Sequence, residues 1–156
     1  MPFAEIGVKI GLLGGGFALW TLVEYCGHRW LMHGAVGPLF IRLTHAEHHR
    51  NPSAMTWSGS ARFASAFLLG LAGATAVAAI VLGPLVWSIA VGVALGSVAY
   101  SLAHRYAHSE SFTPAARSES AWTAHLRHHS YDTRAGFGFT TVFWDRVFGT
   151  SATSHR

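Results

Sequence analysis

Three long apolar runs organise the chain. Ile6 to Val23 carries a single charge, Lys9, near its start, while Phe63 to Leu82 and Leu85 to Ala103 carry none. Each run is within the roughly 17–25 residues that an α-helix needs to cross a hydrocarbon core about 30 Å thick. The pattern predicts an all-α integral membrane protein with about three transmembrane helices. Gly83-Pro84 separates the second run from the third. That dipeptide is a turn signal, because Pro cannot continue a helical hydrogen-bond ladder and Gly tolerates unusual backbone angles. The two runs are therefore expected to form a helical hairpin. Gly92 and Gly96 add a GxxxG spacing, which lets two helices approach closely. Burial in a soluble bundle is the competing explanation, and long charge-free runs argue against it.

The polar remainder falls in two pieces, Glu24–Arg62 and His104–Arg156, and holds every histidine. Arg29, Arg42, Arg50 and Arg62 lie in the first, and Arg105, Arg117, Arg127, Arg134 and Arg146 in the second; none flanks the Gly83-Pro84 turn. The positive-inside rule then puts both pieces on the cytoplasmic side as a helical cap and the N-terminus outside. Residues 1–156 read as a single domain. The N-terminus lacks a basic segment with a small-residue cleavage site, so the first run is expected to remain in the mature protein.

Composition sharpens this picture. Residues are 51% apolar and only 12% charged, against about a quarter charged in a soluble domain. The net charge of +4 could suggest nucleic acid, but ten of the eleven basic residues are Arg, scattered singly beside His or aromatic residues. That is not a nucleic-acid footprint, and no nucleic-acid partner is expected. Cys26 is alone, which excludes an intrachain disulfide, and is expected to be a small buried hydrophobe.

The candidate chemistry lies in the histidines. His28 and His33 are spaced H-x4-H, His45, His48 and His49 form H-x2-HH, His104 and His108 form H-x3-H, and His125, His128 and His129 repeat H-x2-HH. Only His155 stands outside. Residues three and four apart share a helix face, so each of the last three groups would present its imidazoles to one side. His28 and His33 lie about 140° apart on an ideal helix and can converge only if the helix end unwinds or the site lies between them. Ten imidazoles are too many for one ion and suit two. Adjacent rings diverge by about 100°, so each HH pair is expected to split between the ions. A single interfacial His is more often a polar surface residue than a ligand; ten in ligand-spaced groups reverse that. Imidazole serves Zn, Cu, Fe and Ni alike, so ligand type does not choose the metal. Glu24, Glu47, Asp132 and Asp145 are candidates to hold a ligand imidazole by its far nitrogen, with a helix cap or an Arg partner (Arg146 for Asp145) as the alternative. His-Ala-Glu-His-His is not the HExxH of a zincin, and no phosphate loop or nucleophile elbow is present.

At these residues the chain resembles the fatty acid hydroxylase and sterol desaturase superfamily of membrane di-iron oxygenases. Glu24-Tyr25 leading to His28-Arg29-Trp30-Leu31-Met32-His33 resembles its first histidine box, and His45-Ala46-Glu47-His48-His49 with Pro52 its second. His104-Arg105-Tyr106-Ala107-His108 and His125-Leu126-Arg127-His128-His129 resemble the third and fourth. Gly136 to Thr141, Phe143-Trp144-Asp145 and Phe148-Gly149-Thr150 are also similar to the family's tail. The resemblance implies two Fe ions held by the ten box histidines (Zn can replace them in purified protein), O2 as co-substrate and hydroxylation of a lipid. The three-residue gap between His104 and His108 is most like fatty acid 2-hydroxylases; carotenoid hydroxylases tend to four. Sterol desaturation or carotenoid hydroxylation on the same metal site is the alternative outcome. A non-enzymatic metal- or haem-binding membrane protein is a further one, but the apolar runs lack the facing histidines that a bilayer haem needs. The family typically has four membrane helices against three here, which leaves the substrate channel and oligomeric state open. No His-Pro-Gly-Gly haem motif is present, so the resemblance implies a separate electron donor of the ferredoxin or cytochrome type. Trp57, Phe137 and Phe139, with Phe63, Phe143 and Trp144, would line the lipid entrance or form an interfacial aromatic belt. The Arg-over-Lys and Ala/Gly bias points to a bacterial inner membrane.

Overall fold

In a computed structural model, the described residues are 2–52, 57–113 and 120–152, with the main chain alone described at 2 and 57–64; no strand occurs among them. The elements are α1 (Pro2–Cys26), a π-helical turn (Gly27–Met32), α2 (Leu39–Arg50), α3 (Trp57–Leu82), α4 (Val86–Ala107), α5 (Ala121–Ser130) and α6 (Phe143–Val147). The three apolar runs fall in α1, α3 and α4, and three helical stretches, Phe3–Met32, Ser65–Leu82 and Val86–Ala107, are long and apolar enough to span a membrane. All three helices outrun their apolar cores. A polar residue ends an apolar run, whereas a helix ends only where its backbone bonds find other partners. His104 accordingly lies inside α4, and the first span runs on through the π-helical turn.

The chain divides into two compact units. The first is Met1–Trp20 with Thr56–Ser101. Gly83 has a φ of 83° between α3 and α4, a left-handed conformation that costs most other residues 1–2 kcal/mol or so, so the predicted hairpin turn is present. Within this unit α1 and α4 meet through small residues. A Cβ at Gly16 would lie 2.1 Å from Ile89 O, one at Gly92 2.1 Å from Leu13 O, and one at Gly96 2.6 Å from the Trp20 ring. Trp20 packs edge-on against Phe67 with centroids 5.3 Å apart. Leu69, Val77, Ile80 and Val81 of α3 are 66–84% exposed. So continuous an apolar surface is stable only against lipid.

The second unit is Thr21–Met55 with Leu102–Arg156. Ser120 caps α5 by accepting the Thr123 N–H at 3.2 Å. Trp144 donates its indole N–H to Thr21 Oγ1 at 2.9 Å. Arg29 donates to the Tyr25 hydroxyl at 2.8 Å, Tyr25 Oη and Thr150 Oγ1 are 2.8 Å apart, and the Tyr25 ring stacks on Phe148 at 5.2 Å. The largest fully buried side chains are Tyr25, Phe139, His125, His128 and Asp145. Four of these five are ionisable, which an interior tolerates only where each group is hydrogen-bonded, paired or bound to a metal.

Candidate metal centre

The ten box histidines come from four segments of the second unit. His28 belongs to the π-helical turn and His33 follows it. The His33 N–H donates to His28 O at 3.1 Å, the i→i+5 bond of a π-helix. Residues five apart then lie on one face, and the two ring centroids are 5.0 Å apart. The helix end was expected to unwind or to leave the site between the rings; widening by one residue per hydrogen-bonded turn brings them together instead. His45, His48 and His49 lie on α2, His104 on α4 with His108 just beyond, and His125, His128 and His129 on α5.

These rings form two groups. His28, His33, His45, His49 and His128 make one, and His48, His104, His108, His125 and His129 the other; within each, one nitrogen per residue lies within 4.8 Å of all the rest. Both HH pairs divide between the groups. In the first, Nε2 separations are 3.1 Å for His28–His45, 2.9 Å for His33–His45, 3.0 Å for His45–His49 and 2.9 Å for His33–His128. In the second they are 2.9 Å for His104–His125, 3.2 Å for His108–His125 and 3.1 Å for His125–His129. The groups abut: the His49 and His129 rings stack at 4.1 Å.

A metal ion fits this arrangement better than hydrogen bonding does. His28 Nδ1 lies 2.7 Å from Phe137 O and His128 Nδ1 lies 2.7 Å from Ala135 O. A carbonyl only accepts, so each Nδ1 carries the proton and each neutral ring turns its Nε2 lone pair inward. Both nitrogens of His48 are buried without a hydrogen-bond partner among the described residues. Converging lone pairs about 3 Å apart repel unless a cation sits between them. Ligands about 2.0–2.1 Å from one ion and at right angles to each other stand ~3 Å apart, close to the separations observed.

Electrostatics point the same way. Burial, reinforced by neighbouring imidazoles, pushes His33 and His108 down to about 4 and His48 to about 3. Burial takes His128 to about 3 as well, against the opposing bond to Ala135 O. It also holds His45, His49, His125 and His129 below the usual histidine range. These rings are neutral at pH 7, the form that ligates metal.

The segment from Ala135 to Thr140 backs both groups. Phe137 packs on the rings of His28, His33 and His128, at centroid distances of 5.6, 5.6 and 5.3 Å. Phe139 packs on His104 at 5.2 Å and His125 at 5.0 Å. Two buried carboxylates hold this segment by its amides. Glu24 Oε1 accepts the N–H groups of Phe139 at 2.6 Å and Thr140 at 2.8 Å, and its Oε2 accepts the Thr140 hydroxyl. Asp145 accepts the N–H groups of Phe137 at 2.9 Å and Gly138 at 2.8 Å, together with the Thr150 hydroxyl at 2.8 Å. Burial pushes the Asp145 carboxyl up, and these donors oppose it.

The remaining candidates lie elsewhere. Glu47 is exposed in an ion pair with Arg50 at 3.1 Å, because a residue two past His45 and one before His48 points off their shared face. Asp132 pairs with Arg134 at 3.2 Å. Phe143 is 54% exposed. The side chains of Trp57 and Phe63, and all of His155, lie outside the described residues. Sequence reasoning missed Trp122, which stacks on Phe139 at 6.0 Å and 8° and touches Tyr106 and Phe112. Its position three residues before His125 was the available signal.

Comparison with known proteins identifies the family. Residues 13–150 match the family model for fatty acid hydroxylase. Ceramide very long chain fatty acid hydroxylase scs7 of Schizosaccharomyces pombe is 34% identical over 86% of the chain. Dihydroceramide fatty acyl 2-hydroxylase FAH2 of Arabidopsis thaliana is 30% identical over 96%, and fatty acid 2-hydroxylase of Rattus norvegicus 32% over 92%. The chain spans 40%, 63% and 40% of those relatives' own lengths. A solved structure of full-length scs7p, with only its hydroxylase domain visible, matches at a TM-score of 0.70 and 29% identity, over 97% of this chain and 59% of that one. Ten histidines in two converging groups and a family match over nearly the whole length place this membrane protein in the fatty acid hydroxylase family.

Proposed function

We propose that the chain is a di-iron, O2-dependent hydroxylase of lipid acyl chains, similar in activity to the fatty acid 2-hydroxylases. The observation that carries this reading is the paired five-histidine arrangement in a chain of this family. The ten box histidines would hold the two ions. Five nitrogen donors per group exceed the four that structural zinc sites ordinarily use, which supports iron. When bound, an iron pair supplies the redox chemistry that lets dioxygen oxidise an unactivated C–H bond. One oxygen atom enters the product and the other leaves as water, so each turnover takes two electrons from a donor of the ferredoxin or cytochrome type and two protons from the solvent.

The protein's part is positional. His28 and His128 are held in one tautomer by Phe137 O and Ala135 O, and Phe137 and Phe139 brace the rings and keep water from them. The histidine segments adjoin the ends of apolar helices in the chain, which suits a substrate whose acyl chain stays in lipid. The arginine distribution supports a cytoplasmic site, and the composition a bacterial inner membrane. Each unit is assembled from two separated segments and the family match crosses both, which supports one domain. Lipid analysis of cells with and without the gene tests the activity. A 2-hydroxylated acyl chain that appears with the intact gene and disappears in a His128→Ala variant is expected. Unchanged hydroxylation in that variant would contradict the assignment.

A further inference from the structure

We propose that Asp145 is a positioning residue for the first histidine group and acts on His28 through the peptide bond between Phe137 and Gly138. The inference rests on the two-metal reading above. The contacts form a continuous line. Asp145 Oδ2 accepts the Gly138 N–H at 2.8 Å, and the carbonyl of that same peptide unit, Phe137 O, accepts from His28 Nδ1 at 2.7 Å. Hydrogen bonds in series polarise one another. A peptide whose N–H is bound by a carboxylate carries more negative charge on its oxygen, and that oxygen holds the Nδ1 proton more firmly. Electron density on the ring then shifts to Nε2, the atom that faces the first group. Carboxylates beside metal-bound histidines usually do this by touching the ring directly; here one peptide unit stands between.

Two further observations support the line. Asp145 is 1% exposed, so bulk water does not compete for its oxygens. Gly138 is not among the glycines with positive φ, yet a Cβ there would stand 2.8 Å from Asp145 Oδ2 and 2.2 Å from Thr141 O. Glycine is required at this position because a side chain would collide with the Thr141 carbonyl and crowd the Asp145 carboxylate, not for backbone freedom. Thr150, whose hydroxyl also donates to Asp145 and whose N–H donates to Asp145 O at 2.7 Å, fixes the carboxylate's setting.

The test uses the purified full chain in detergent, stripped of metal and titrated with zinc against a competing chelator. Wild type is expected to bind two ions. Asp145→Asn should still bind two, with one held about 10- to 100-fold more weakly and the other within about twofold, because only one group contains His28. With iron-57 in place of zinc, only one of the two Mössbauer doublets should shift. Asp145→Glu keeps the charge but carries its oxygens away from the Gly138 amide and should weaken the same single ion; it decides the matter if Asp145→Asn does not fold. Wild-type affinity for both ions in the folded variants, or equal weakening of both ions, overturns the proposal while leaving the two-metal reading intact. Fewer than two ions in wild type overturns both.

Discussion

A neutral imidazole has one proton and two nitrogens, and this site uses that asymmetry. Where Nδ1 donates to a backbone carbonyl, as at His28 and His128, Nε2 is left as a lone pair for a cation. His→Ala at any of the ten positions should therefore lower activity at least about 100-fold, beyond what loss of an outer partner does, and should lower bound iron in parallel. His155→Ala should retain both; iron analysis beside product formation measures this, and full turnover of His128→Ala would contradict it. The depressed proton affinities give a second expectation. In metal-free protein these rings resist protonation when folded and accept it near pH 6.5 when unfolded. Unfolded chains then bind more protons between about pH 6.5 and the folded values of about 3–4, so stability falls as pH drops through that window. Thermal unfolding of the metal-free protein should move to lower temperature from pH 7 to pH 5; a flat profile would contradict buried neutral rings. The ten histidines were legible from spacing alone. Asp145 was legible as a candidate but its contacts were not, because apart from the Thr150 hydroxyl its partners are backbone amides, which every residue but proline carries and which leave no sequence signature.

Among the elements, the H-x4-H spacing conflicts with an α-helical face, and the conflict was visible in the sequence. Its resolution as a π-helical turn was not, since unwinding and widening both satisfy the same spacing. The apolar runs located α1, α3 and α4 and the close of α3 at Leu82, but not the ends of α1 and α4 nor the start of α3, which backbone bonding sets. The GxxxG spacing marked Gly92 and Gly96 only as candidates; the 2.1 Å approach of a Gly92 Cβ to Leu13 O makes the first a helix contact. Gly92→Leu should overpack it and cost about 1–3 kcal/mol, read as a lower Tm in detergent. An unchanged Tm would mean that α1 and α4 do not rely on close approach there.

For the molecule as a whole, the scarcity of charge and the length of the apolar runs fixed its class, and the arginines carry its proposed orientation. A reporter fused after Arg156 should read cytoplasmic and one inserted at Gly83 external; the reverse would overturn the orientation without touching the metal reading. That reading is tested most directly by anomalous scattering at the iron edge from crystals of the iron-loaded chain. Two peaks are expected, one within the His28, His33, His45, His49 and His128 group and one within the His48, His104, His108, His125 and His129 group. A single peak, or peaks outside these imidazoles, would contradict the account.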